Sequence, residues 1–401
     1  MQNGSALRTA VVRARRTRLL TRSISSATAA GVLFSTLATS FTPAFAQTIT
    51  DPTAPIEFQP RVTSSGNGTP TVDIVKPGQG GISHNKFREY NIDTRGLILN
   101  NSGAGGTSVL GGAVAANPNL TGGRSARIIL NEVTGTNRSL LNGMTEVFGT
   151  KADVIVANPN GVGCIGCGFI NTGNVTLSSG VPDVDANAGT ISWQTRSGDV
   201  TIAGGGVSAP ADQPLGDVNL VGRTVSIDGV VKARETLRII AGATRYDDAT
   251  GQISALSGVG PVSGADAIVS TSAGTISAGS IMALSSDVDM GVVLSGNLQA
   301  TGSSSVAGDV SVASQGALKI VSAQATGGIA LTAARCLSIN RDLAASGNIA
   351  IAAEDASLLA SSGVSTGEEL SIITVRDLQS AAMLKAGGAL TAKAGGDARF
   401  E

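Results

Sequence analysis

Three small groups of residues have types and spacings that could do chemistry. Cys164 and Cys167 form a Cys-x-x-Cys pair, a spacing used by zinc ligands, redox dithiols and short disulfides. A zinc site needs two more ligands, and His84 is the only histidine. A redox dithiol needs a βαβ setting, and no long stretch here has the apolar spacing of an amphipathic helix. Any Ser-His-Asp arrangement would also have to be built on His84. Asp183-x-Asp185-x-Asn187 begins like a calcium loop, but the position for a bidentate Glu holds Gln194 and the Gly is misplaced. That run reads as a turn. Asp287 and Asp289 lack further ligands nearby and read as solvated. Cys336 precedes an inward-looking strand and reads as a small core residue. No catalytic constellation, metal site or cofactor is expected.

The elements that would carry these residues are strands. Short runs such as Thr71–Val75, Ala126–Leu130, Asp153–Val156, Val175–Leu177 and Leu237–Ile240 are separated by Gly, Asn, Ser or Thr, the strand-turn signature of an all-β chain. Towards the C-terminus the pattern repeats. Gly327, Gly347, Gly367 and Gly387 fall twenty residues apart, each ahead of a short apolar strand, with second strands near mid-period. A repeat of that length with several strands points to a solenoid. A leucine-rich horseshoe needs a Leu and Asn ladder that is absent, so the expected fold is a right-handed parallel β-helix with an N-terminal cap. Rungs would stack at about 4.8 Å. Small Ala, Val, Ile and Ser would fill a thin interior, which suits a chain with 3% aromatic residues and 53 glycines.

Composition narrows the function. Net charge is −1 and offers no basic footprint for nucleic acid. The charges of residues 1–46 are six arginines, leaving 22 basic against 29 acidic residues in the remainder. That Arg-rich start leads into the apolar stretch Ala27–Ala38 and then Ala44-Phe45-Ala46. It reads as an extended signal peptide cleaved between Ala46 and Gln47. Polar residues interrupt the apolar run, so no stable membrane span is expected. The domain reading is a signal at 1–46, a β cap at 47–110, a β-helix core at 111–300, and repeats of about twenty residues at 301–401. The regular pattern runs to Glu401, so the chain is expected to be a piece of a longer rod.

Two turn formers stand out: Asn117-Pro118-Asn119-Leu120 and Asn158-Pro159-Asn160-Gly161. Pro presets the second turn position and Asn tolerates the conformation that follows. With them come Gly81-Ile82-Ser83-His84-Asn85-Lys86-Phe87, Ile129-Leu130-Asn131-Glu132-Val133, and Cys164-x-x-Cys167-Gly168-Phe169-Ile170-Asn171-Thr172. Five ordered blocks behind a signal, over about residues 70–180, resemble the secretion domain of two-partner-secretion exoproteins, the filamentous haemagglutinin family. The run from Cys164 to Thr172 resembles its cysteine-bearing subgroup, which includes haemagglutinins, haemolysins and contact-dependent inhibition proteins. Val162 stands where Ile is commoner.

The resemblance implies an export route rather than a reaction. The chain would cross the inner membrane, be recognised in the periplasm by an Omp85-type outer-membrane transporter, pass its pore unfolded and fold outside. Coils stacking one at a time could draw the chain outward. The two turns would serve as the secretion motif, holding the first coils or displaying a surface to the transporter. His84, Asn85, Asn131 and Glu132 would be structural motif residues. For Cys164 and Cys167 an exported chain makes the short disulfide the leading reading.

Three functions of different class follow. The first is a secreted or surface-exposed adhesin of a Gram-negative bacterium, binding a host-cell or bacterial receptor such as a glycan. The second is the delivery module of a haemolysin or contact-dependent inhibition toxin, with its active region beyond residue 401. The third, an enzyme on the same fold, is disfavoured because acids are sparse and no cluster of acids with Arg or Lys recurs at the repeat period.

Overall fold

Apolar side chains at every second position force each run to bury one face, and stacking the runs coil on coil lets all of them do so at once. The computed structural model describes residues 47–262, 264–359 and 363–401. The expected signal, including Ala46, lies outside them. Among the described residues there is no α-helix, only strands and two short 3-10 turns.

One sheet of 13 strands runs from Thr48–Thr50 through Ile82–Tyr90, Ile128–Val133, Ala152–Ala157 and Thr172–Ser178 to Leu390–Ala394. Only its first pair is antiparallel. From Ile82–Tyr90 on Ile128–Val133 onward the neighbours are parallel. A second set of 20 strands completes the coils. Its longer members turn a corner: Leu318–Ile320 pairs with Leu337–Ile339, while Ala323–Ala325 of the same strand pairs with Leu343–Ala345. This is a parallel β-helix.

The C-terminal coils show the repeat most plainly. Val310, Ile329, Ile349, Leu370 and Leu390 lie in one column across neighbouring strands. Within Ile349–Ala353, Ile349, Ile351 and Ala353 are buried and the residues between them exposed. Each such Ile contributes about 1.5–3 kcal/mol by burial. The glycine column marks the tight corner: a Cβ on Gly387 would fall 2.2 Å from the Gly367 carbonyl oxygen, so only Gly fits there.

At the start of the helix, Arg61–Ser64 pairs antiparallel with Pro70–Asp73, which already stacks parallel on Leu97–Asn101. The small hairpin Gly106–Ser108 and Gly112–Val114 covers Ile98 and Phe148.

A four-stranded antiparallel sheet lies outside the coils, built from Val181–Asp185, Thr190–Thr195, Thr244–Asp247 and Ile253–Ala255. Trp193, Tyr246 and Ile191 pack on the outer face of the 13-stranded sheet, against Ile82, Leu130, Ile155 and Ile240.

Two expectations are corrected. Cys336 is exposed, because it takes the outward parity of a strand whose Leu337 and Ile339 point inward. Asp287 is buried rather than solvated: it pairs with the equally buried Arg223 and accepts the Ala243 N–H at 2.9 Å. A buried carboxylate persists only when so partnered. Asp289 is half exposed and pairs with Arg335. Asp183 lies within the strand Val181–Asp185 and Asp185 ends it, where its Oδ1 caps the following turn by accepting the N–H groups of Asn187 and Ala188. Among the described residues no group of three or more His, Cys, Asp or Glu could hold a metal ion, and no helix is long and apolar enough to cross a membrane.

Candidate functional site

The two Asn-Pro-Asn turns share one internal geometry. Asn117 Oδ1 accepts the N–H of Asn119 at 2.9 Å, and Asn158 Oδ1 accepts that of Asn160 at 2.9 Å. In each turn the first Asn is fully buried, the second Asn is exposed, and the fourth residue is buried again. Pro118 is exposed and Pro159 half exposed. In the first turn, residues Pro118–Leu120 make a 3-10 turn with Asn117 as its cap. In the second, Gly161 has φ +110°, and an added Cβ would lie 3.0 Å from the Asp199 carbonyl oxygen. Both the conformation and the close approach call for Gly.

The side-chain amides of both turns reach back to earlier segments. Asn117 Nδ2 donates to the carbonyls of Ile74 at 3.0 Å and Asn100 at 2.8 Å. Asn119 Nδ2 donates to the same Ile74 carbonyl at 3.0 Å. Asn158 Nδ2 donates to the Asn137 carbonyl at 2.9 Å and to Ser139 Oγ at 3.0 Å. Asn160 Nδ2 reaches the Gly135 carbonyl at 2.8 Å. Removing the Asn117 or Asn158 amide takes away two hydrogen bonds made in the interior, at about 1–3 kcal/mol.

The Ser83-His84-Asn85 block meets the first turn at the same point. Asn85 Oδ1 accepts the Val75 N–H at 2.9 Å, and Ser83 Oγ donates to the Val75 carbonyl at 2.7 Å. Asn85 and Asn131 also continue coil to coil. Asn85 Nδ2 donates to the Leu130 carbonyl at 3.2 Å, and Asn131 Nδ2 to the Ile155 carbonyl at 3.1 Å.

On the outer face of the same strands His84 Nε2 lies 2.6 Å from Glu132 Oε2, with Lys86 Nζ 3.4 Å from that oxygen. The Phe58 ring packs on His84 at 4.9 Å between centroids. Burial works against the Glu132 carboxylate. The His84 hydrogen bond and the charges of His84 and Lys86 outweigh it and hold the pKa below its ordinary value. The arrangement is an outward-facing polar cluster that ties two coils together.

Cys164 and Cys167 are joined in a disulfide, both buried, with Cα atoms 5.2 Å apart. It spans a bulge where the register against Asp199–Ser208 slips between Ile165 and Cys167, with Gly166 at φ +77°. Asn101 escaped the sequence reading. It is fully buried, and Nδ2 donates to the Ala126 and Thr150 carbonyls at 2.9 and 2.8 Å. Its signal was a pair of Asn in a run otherwise fit for a strand, a setting Asn avoids without a specific partner.

Comparison with known proteins places this geometry. A family model described as the TPS secretion domain matches residues 46–320. The chain is 39% identical over 333 residues to the 16S rRNA endonuclease CdiA of Enterobacter cloacae subsp. cloacae, covering 83% of this chain and 10% of that protein. It is 39% identical over 269 residues to the filamentous hemagglutinin of Bordetella pertussis, covering 65% of this chain and 7% of that one. The crystal structure of a filamentous hemagglutinin secretion domain superposes with a TM-score of 0.57 at 30% identity, over 88% of this chain and 99% of that one. The chain thus spans a tenth or less of the length of these two curated relatives.

Proposed function

Because the chain belongs to the TPS secretion domain family, we propose that it is the export module of a two-partner-secretion exoprotein. In this reading residues 1–46 are a signal cleaved between Ala46 and Gln47. An outer-membrane Omp85-type transporter recognises the module in the periplasm, and the product is released or displayed at the cell surface. Residues 47–110 act as the cap, 111–300 as the core of the secretion domain, and 301–401 as the first regular repeats. The observation that carries the reading is the match of the family over residues 46–320, with both Asn-Pro-Asn turns built into the coils.

The turns serve first to fix the fold, since their leading Asn side chains are buried and engaged. Pro118, Asn119 and Asn160 are the parts left for a transporter to touch. Expression of residues 1–401 in a Gram-negative host with and without the transporter tests the route. The chain is expected in the medium only when the transporter is present. Equal release without it overturns the reading.

What the module delivers is a separate proposal. An adhesin that binds a cell-surface receptor, with a glycan as the candidate, is the first reading. Delivery of a toxin is the second, supported by similarity to proteins named as nucleases and toxins as strong as that to a hemagglutinin. Haemagglutination by the complete exoprotein would favour the first. Killing of neighbouring cells, blocked by an immunity protein, would favour the second.

A further inference from the structure

A cleft of about 410 Å³ opens between the outer face of the 13-stranded sheet and the hairpin turn that follows Tyr246. Its size lies within the range of small-molecule sites. Four consecutive strands build its wall: Ala152–Ala157, Thr172–Ser178, Val218–Gly222 and Thr236–Ala241. Asp153, Asn174 and Asp217 form one polar row. Asp153 Oδ1 accepts the Asn174 N–H at 2.8 Å, Asn174 Oδ1 the Asp217 N–H at 2.7 Å, and Asp217 Oδ1 the Thr236 N–H at 2.9 Å. Thr176, Asn219 and Arg238 form the next. Asn219 Nδ2 donates to Thr176 Oγ1 at 3.1 Å, and Arg238 donates to Asp217 Oδ2 at 2.8 Å and to Asn219 Oδ1 at 3.3 Å. Tyr246 and Asp248 close the opposite side, joined by the phenol hydroxyl donating to Asp248 Oδ1 at 3.1 Å. Ile128 and Ile155 reach the floor of the cleft but are almost wholly buried.

These bonds fix the walls but do not exhaust them. Among the described residues, Asn174 Nδ2, Asp153 Oδ2 and the remaining Arg238 N–H groups make no hydrogen bond within the chain. Rigid acceptors and donors therefore alternate along the walls. This is the complement of a ring edged with hydroxyl groups. Three carboxylates face one guanidinium, which disfavours an acidic ligand.

We propose that this cleft is a saccharide-binding site, selective for neutral or amino sugars over uronates and sulfated sugars. Its purpose rests on the adhesin reading above. Its binding does not, because the test uses the purified chain and no transporter, so failure to bind and failure to be exported are separate results.

Saturation-transfer NMR of the purified secreted chain with glucose, galactose, mannose, N-acetylglucosamine and glucosamine tests it, with glucuronate as the acidic control. At least one neutral or amino sugar is expected to receive transfer, and glucuronate none. Asn174→Asp keeps the acceptor for the Asp217 N–H but removes the unused donor. Asp153→Asn keeps the acceptor for the Asn174 N–H but replaces the unused acceptor. Each is expected to weaken binding about tenfold with an unchanged melting midpoint. No transfer to any of the sugars from the folded chain, transfer undiminished in both folded variants, or preferential binding of glucuronate would overturn the proposal. If either variant melts early, Arg238→Lys in the same assay supplies the comparison, and an undiminished signal there counts against the site.

Discussion

Asn85 and Asn117 hold the two ends of one peptide group: Asn85 takes the Val75 N–H, and Asn117 donates to the Ile74 carbonyl. Two blocks of sequence thirty-odd residues apart thus meet at Ile74–Val75, whose side chains are both buried. Neither block completes the first coils by itself. Asn117→Ala and Asn85→Ala are each expected to destabilise the folded chain by about 1–3 kcal/mol. The double variant should lose less or more than the sum, by about 0.5–3 kcal/mol. Urea unfolding of the four proteins measures the coupling. Simple additivity would mean that the shared segment does not link the two side chains.

Thiol chemistry separates the three cysteines. Cys164 and Cys167 are bonded and buried, while Cys336 is exposed. A maleimide is expected to label one thiol per native chain, and three after reduction and unfolding. Replacing Cys164 and Cys167 together by Ser should cost about 2 kcal/mol, the loop-entropy value for so short a ring. Two or more labelled thiols in the native oxidised chain would contradict the assignment.

The His84–Glu132 cluster sets an acid limit on stability. The folded pKa of Glu132 lies below its ordinary value of 4.5. The unfolded chain therefore takes up that proton first as pH falls. The contribution of Glu132 is complete above about pH 4.5 and is lost as pH drops through the lower folded pKa. Glu132→Gln should be less stable than the parent at neutral pH, and the gap should narrow on acidification below that value. Unfolding free energies between pH 6 and pH 3 give the comparison. A gap independent of pH would mean that the carboxylate charge contributes nothing.

Trp193 is the only tryptophan and has no exposed surface. Its fluorescence should be blue-shifted and resist quenching by acrylamide. Tyr246→Ala removes its buried neighbour in the outer sheet and should cost about 3–5 kcal/mol by analogy with other large-to-small aromatic changes. The same change should expose Trp193 to quencher before the coils unfold, as followed by circular dichroism. Simultaneous loss of both signals would mean that the outer sheet and the helix form one cooperative unit.

The C-terminal coils were legible because each strand there is buried on one face only, so apolar and polar residues alternate cleanly, as in Ile349–Ala353. The outer sheet was not foreseen, although its footprint is present. Ile128-Ile129-Leu130 and Val154-Ile155-Val156 are continuous apolar runs, and both faces of those strands are covered. Runs of that kind mark strands sandwiched between two layers. Asp287 was misread because its partner Arg223 lies 64 positions earlier and is brought close only by the coil. Cys336 was misread by one position of strand parity. The Asn-Pro-Asn residues could be named from sequence as turns. That their leading amides grip segments up to 43 residues earlier could not, because hydrogen bonds between coils depend on a register that no local pattern encodes.

The ring closed by Cys164 and Cys167 also has a mechanical meaning. Its ends are three residues apart and their Cα atoms 5.2 Å apart, against about 10 Å for the same stretch drawn taut. The bond therefore removes only about 5 Å of contour length. A chain pulled from one end would pay out almost all of its length with the bond intact, as a single thread with one small knuckle. Oxidation before passage through a narrow opening would leave no wide covalent loop to jam it.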